Sequence, residues 1–318
     1  MAELIDIFAR HEKLLRAAGW YWPPGDVAHA CAAVEPARLA ISTELLSRWV
    51  ERDPAGFAGT TSAMFGNRVR LRAALLIDML SFKHDFFLAA LTDPAMGTVP
   101  EIAPLCRPLL ELEPLLPVRL MKFLLHGVPE GDDGRADAML ERALVLLEAT
   151  GSLDRFSIYV AQLLRYHDRR VRAKAALLMA KTNPNVSQTK ERYARETDPR
   201  VRANLIEGLW NVHSPDKAAF FWSVTGDTHH RVVANALVGL CAMGEAGAVE
   251  KLMALANHRD PEMRTAAAWA MGKLADPRFR EVLTRLAREE RGPPKRNALT
   301  ALVRIRQTLA PQGCGAQP

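Results

Sequence analysis

Apolar residues in the second half of the chain recur at three- and four-residue spacing within blocks of about 13, and the blocks themselves recur. DRRVRAKAALLMA (168–180), DPRVRANLIEGLW (198–210), HHRVVANALVGLC (229–241), DPEMRTAAAWAMG (260–272) and GPPKRNALTALVR (292–304) align at spacings of 30, 31, 31 and 32 residues. Within a block the apolar positions fall on one side of a 3.6-residue period, as Val201, Leu205 and Leu209 do. The pattern predicts five equivalent amphipathic helices, and a fixed period near 30 residues predicts a repeat architecture.

The block openings carry helix-start chemistry. Asp168, Asp198 and Asp260 stand where a side-chain oxygen accepts a first-turn N–H. Pro199, Pro261 and Pro293 stand where a missing N–H costs nothing. Each block ends at a breaker such as Asn183-Pro184, Ser214-Pro215, Gly244 to Gly247 or Asp276-Pro277. A second amphipathic stretch then follows, for example AVEKLMALAN (248–257) and RFREVLTRLARE (278–289). One unit is helix, turn, helix, so the predicted fold is all-α: an α-solenoid of antiparallel helix pairs stacked side by side.

These openings resemble the HEAT-repeat family, in particular its short repeats with a D-P-x-V-R start. Asp198-Pro199-Arg200-Val201-Arg202-Ala203 is the closest match, and the resemblance spans residues 168–304. It implies a superhelix in which repeat Asp and Arg side chains form a ladder. The positions concerned are Asp168 with Arg172, Asp198 with Arg202, Asp260 with Arg264, and Arg296 in the last copy. His229 and Val233 stand in those places in the third copy, where the ladder is expected to be interrupted.

The N-terminal half also reads as helical, over roughly 3–18, 27–34, 37–51, 67–92, 101–111 and 117–126. Asn67 to Ala74 looks like a degenerate repeat opening, and Pro117-Val118-Arg119-Leu120 echoes it. The expected organisation is degenerate helical repeats with an N-terminal cap over 1–128, a turn or linker at 129–134, the repeat array over 135–310 and a flexible tail at 311–318. Trp20, Tyr21 and Trp22 fall in the loop after the first helix. They suit either a cap over the solenoid's open end or an exposed anchor for a partner.

Composition changes this picture mainly through charge. With 49% hydrophobic and 25% charged residues the chain lies outside the disordered regime. Residues 1–150 hold 15 Lys+Arg against 20 Asp+Glu, a balance of −5, whereas residues 151–318 hold 27 against 16, a balance of +11. A basic half points to an acidic partner, whether protein or nucleic acid. Arg169, Arg170, Arg200, Arg231 and Lys295 recur at corresponding places in the repeats and predict a basic stripe suited to carboxylates or phosphates. No stretch is apolar enough for a membrane span or a secretory leader, so a cytoplasmic protein without membrane insertion is expected.

Candidate chemistry is sparse. Cys31, Cys106, Cys241 and Cys314 have no metal-ligand spacing and read as free thiols. His229-His230 reads as a surface turn, and Asn204 and Asn235, at equivalent helix positions, read as side chains bonding a neighbouring segment. No phosphate-binding loop, nucleophile elbow or zinc-protease motif is present, and no cofactor is implied. The leading expectation is a non-enzymatic scaffold binding another protein on the concave, basic face. Two alternatives come from other families with short HEAT-like repeats. A DNA glycosylase or DNA-binding protein would draw on Glu207, Trp210, Trp222 and Trp269, and a bilin lyase-like chaperone would need a pigment pocket.

Overall fold

The computed structural model describes residues 1–66, 71–83, 85–126, 133–151 and 153–309. Residues 67–70 of the opening read at Asn67 to Ala74, residues 129–132 of the expected linker, and the tail with Cys314 lie outside them. Among the described residues the chain is helical throughout, with no strand. No helix there is long and apolar enough to cross a membrane. The chain divides into two compact units, residues 1–159 and 160–318.

The first unit holds α1 (Ala2–Arg10), α2 (Glu12–Ala17), α3 (Pro24–Ala32), α4 (Pro36–Arg52), α5 (Pro54–Phe65), α6 (Arg72–Leu80), α7 (Phe86–Thr92), α8 (Val99–Leu112), α9 (Leu116–His126) and α10 (Asp133–Thr150). The first predicted helix is broken at His11, and the predicted 67–92 helix is broken around Phe82, whose φ of 56° no helix interior accommodates. α4 is the hub, packing on α1, α5, α6 and α8. Thr98 and Glu101 close a capping box at the start of α8.

α11 (Ser157–Leu163) falls across the division. The second unit continues with α12 (Arg169–Thr182), α13 (Val186–Arg195), α14 (Pro199–Gly208), α15 (Pro215–Val224), α16 (His230–Met243), α17 (Ala248–Leu255), α18 (Pro261–Leu274), α19 (Arg280–Glu289) and α20 (Pro293–Leu309). The five helices predicted from the repeat are α12, α14, α16, α18 and α20. Each packs on the next to make one layer, and α13, α15, α17 and α19 alternate with them behind it.

The core lies between the layers. Val201, Val232 and Met263 on the front row and Phe221, Leu252 and Leu283 behind it are buried, and side chains of this kind each contribute about 1.5–3 kcal/mol when removed from water. Small residues let front-row helices approach closely. A Cβ on Gly208 would lie 2.4 Å from the Cβ of Ala180 and 2.9 Å from the carbonyl oxygen of Leu177. Gly244, at φ 75°, ends α16 in the left-handed conformation that a C-cap uses.

Candidate binding face

The opening residues of the repeats act first on their own helices. Asp168 accepts the N–H groups of Arg170 and Val171 at 2.8 and 3.0 Å. Asp198 accepts those of Arg200 and Val201 at 2.8 and 3.2 Å, and Asp260 that of Glu262 at 2.8 Å. In the third copy His229 takes over the role, its Nδ1 accepting the N–H of Arg231 at 3.3 Å. Burial, then the neighbouring His230 and Arg231, hold the His229 pKa below its ordinary value, which suits an acceptor nitrogen.

Because these Asp side chains are committed to caps, the rungs of the Arg ladder are built from other acids. Arg172 reaches Glu196 at 3.9 Å, Arg202 reaches Asp227 at 2.9 Å, and Arg264 reaches Glu290 at 2.7 Å. Each acid sits two residues before the next cap position. Arg172 and Arg264 also donate to two carbonyls of the loop before their own helix, Tyr166 and His167 in one case and His258 and Arg259 in the other. Arg202 therefore has its rung despite the altered third copy. Only the next rung is changed: Val233 offers no cation, and Arg285 on α19 bonds Asn257 there instead.

A second ladder runs through asparagines. Asn204 donates its Nδ2 to the carbonyl of Ala173 at 2.9 Å, Asn235 to that of Ala203 at 2.8 Å, and Asn297 to that of Thr265 at 3.1 Å. These bonds tie α14 to α12, α16 to α14 and α20 to α18 and hold them in register. They also correct the fifth copy. Its helix opens at Pro293 as aligned, but Asn297 stands 31 residues after Ala266 and 62 after Asn235, and Pro294, Ala298 and Ala301 bury in step. By packing, Lys295 stands in the column of Arg202 and Arg264, and Arg296 stands one residue beyond it. Both are exposed.

The register decides which cations lie side by side. Arg170, Arg200 and Arg231 occupy the first turns of neighbouring helices, with Arg169 beside them. Glu262 takes the corresponding place in the fourth copy, where it meets His230 Nδ1 at 3.0 Å. Arg169, Arg170 and Arg231 are exposed and Arg200 is half-buried. Among the described residues, Arg170 has a carboxylate at 3.7 Å, that of Asp168, whereas Arg169, Arg200, Arg231 and Lys295 have none within ion-pair distance.

The front row also carries a groove of about 320 Å³, lined by side chains of α14, α16, α18 and α20 that include Asn204, Glu207, Asn235, Trp269 and Asn297. The sequence joins Glu207 with Trp269 only under the DNA glycosylase alternative and pairs Asn204 with Asn235 as side chains bonding a neighbouring segment; that they share one groove with Asn297 depends on helices 31 residues apart meeting in register. Trp210 and Trp222 have other tasks: their indole N–H groups donate to the carbonyl of Asn235 at 2.9 Å and to Glu245 at 3.3 Å.

Trp20, Tyr21 and Trp22 are buried within the first unit, at 4, 8 and 1% exposure, which leaves no exposed aromatic anchor. Phe8 stacks on Trp22 at 5.3 Å, Trp20 packs on Phe65 at 5.8 Å, and the two indoles donate to Ser62 Oγ and the carbonyl of Arg72. The rings of His229 and His230 stack at 4.3 Å. Among the described residues no group of three potential metal ligands occurs. Burial pushes the Cys106 thiol up to about 12 and that of Cys241 to about 11, away from the thiolate that reactive cysteines need.

Residues 220–303 match the family of HEAT repeats. Over 100 residues, 30% of this chain, the sequence is 30% identical to an epoxyqueuosine reductase of Bacillus subtilis (strain 168). The chain spans about a quarter of that relative's length, with 26% covered.

Proposed function

For a chain that carries HEAT repeats, we propose a non-enzymatic binding scaffold whose second unit holds an acidic surface of another protein along the edge formed by Arg169, Arg170, Arg200 and Arg231. The observation that carries this reading is the alignment of these cations on adjacent helices, three of them with no carboxylate within ion-pair distance among the described residues. An ion pair at an exposed site contributes about 0.2–1 kcal/mol. A row fixed in register by the asparagine ladder adds several such contacts without ordering a mobile surface first, and it steers an acidic partner before contact. The positive ends of the helices that carry the row reinforce the field.

The scaffold reading needs no reaction from the chain. The likeness to the reductase covers only a quarter of that enzyme, and neither its activity nor its substrate is carried over.

Affinity capture from the native cell tests the proposal. The unaltered chain is expected to retain a defined protein that is released by about 0.5 M salt, where the screening length falls well below 10 Å. A triple Arg169→Glu, Arg170→Glu, Arg200→Glu variant is expected to lose it. Capture unaffected by charge reversal, or retention of nucleic acid with no protein, overturns it.

A further inference from the structure

The groove exists where one rung of the asparagine ladder is absent. Asn204, Asn235 and Asn297 belong to a column whose fourth member is Ala266. An asparagine there would lie across the α16–α18 junction as its counterparts lie across theirs. With a methyl group instead, space opens between the two helices, and Trp269, three residues along on the same side of α18, lines it. At their N-terminal ends the two helices are bridged by His230 and Glu262.

The groups facing this space include several hydrogen-bond acceptors with capacity to spare. Each ladder asparagine gives one amide N–H to a helix carbonyl, and its Oδ1 remains an acceptor. Among the described residues, none donates to Asn204 Oδ1 or Asn297 Oδ1. Glu207 adds a carboxylate whose contact is the Nδ2 of Asn235 at 3.5 Å, the outer limit of a hydrogen bond. Arg231, a cationic donor among the lining residues, is exposed at the start of α16, one turn from Asn235.

Acceptors around an indole define the complementary group. It must donate in several directions, carry positive charge for Glu207, and be flat enough to lie on Trp269. A guanidinium meets all three conditions, having five N–H donors, no acceptor and a planar delocalised cation that stacks on aromatic rings. An ammonium meets the charge without the plane. A nucleobase meets the plane but carries no positive charge for Glu207.

We propose that the groove binds a guanidinium group, supplied by an arginine of the partner whose neighbouring carboxylates reach Arg231 and Arg200. This deepens the scaffold reading and rests on it for the source of the arginine, though the groove's preference is measurable without any partner.

Calorimetric titration of the full chain with blocked Asp-Arg-Asp, blocked Asp-norleucine-Asp and methylguanidinium tests it. The arginine peptide is expected to bind at least tenfold more tightly than the norleucine peptide, and more tightly than methylguanidinium. Glu207→Gln is expected to erase the preference for arginine. Ala266→Asn, which fills the groove, is expected to erase it while the melting temperature is kept or raised. The triple Arg→Glu variant is expected to weaken both peptides and keep the preference, so that failure of the basic edge and failure of the groove read differently. Equal binding of the two peptides, a preference surviving Glu207→Gln, or displacement of the arginine peptide by a nucleoside monophosphate overturns the proposal. Methylguanidinium binding as tightly as the peptide overturns the partner arginine as the source.

Discussion

Arg202 meets Asp227 at 2.9 Å, and the same carboxylate oxygen accepts the hydroxyl of Tyr193 at 2.5 Å. The Asp227 side chain is only 6% exposed, so three residues from consecutive repeats share one desolvated charge. Removing the acid leaves Arg202 half-buried and unpaired. Asp227→Ala is expected to destabilise the second unit by about 2–4 kcal/mol, read as a shift in urea denaturation. A loss below about 0.5 kcal/mol, the range of ordinary surface changes, would contradict the assigned role.

The same contact gives an alkaline pH dependence. Burial first, then the hydrogen bond to Asp227 and its charge, raise the Tyr193 pKa above its ordinary 10.0. A phenol whose proton is held more tightly in the fold contributes stability that is fully present below pH 10 and is lost as the pH climbs above it. Denaturation at pH 9 and pH 11 is expected to show a larger drop for the unaltered chain than for Tyr193→Phe. Equal drops would show that the hydroxyl is uncoupled from folding.

His229 predicts a second window, at the acid side. Its folded pKa lies below the ordinary 6.5, so its contribution is present above that value and is lost as the pH falls below it. His229→Asp restores the cap used in three other copies and is expected to raise stability by about 0.5–1 kcal/mol at pH 7. The gain should widen toward pH 5, as followed by thermal melts across that range.

Gly208 predicts a steric effect. A side chain there meets the backbone of α12 rather than a flexible tip. Gly208→Val is expected to cost about 1–3 kcal/mol through overpacking despite the better helix propensity. Denaturant midpoints of the single variant and of its pair with Ala180→Gly measure this, and the second change is expected to recover part of the loss.

The parts of the molecule legible in the sequence are those written locally. Asp198-Pro199 marks a helix start because the cap and its N–H groups lie three residues apart, and the apolar period places Val201 and Val232 in the core. Partners set by stacking were less legible. Glu196, Asp227 and Glu290 lie in loops of varied sequence, so nothing in the block pattern ties them to Arg172, Arg202 and Arg264. The opening of the fifth copy matches the others in sequence, whereas packing follows Asn297, which one extra loop residue displaces from that opening. Trp20 and Trp22 stand in a polar, proline-rich turn, and their burial depends on Phe57 and Phe65, some 35 to 45 residues away. The groove was hidden for the opposite reason: its cause is a missing side chain, and an alanine within a helical block attracts no attention.

Ala266 gives the array a seam. In a one-dimensional stack, disorder spreads from junction to junction, and each junction resists with the bonds that cross it. The α16–α18 junction lacks the amide rung found at the α12–α14, α14–α16 and α18–α20 junctions, so α18 to α20 are expected to separate as one block, which leaves the two walls of the groove on different blocks. A molecule lodged between those walls then acts as a rivet. Its binding free energy adds directly to the cohesion of the stack, and slowed hydrogen exchange in α18 and α20 would report its arrival as directly as any measure of affinity.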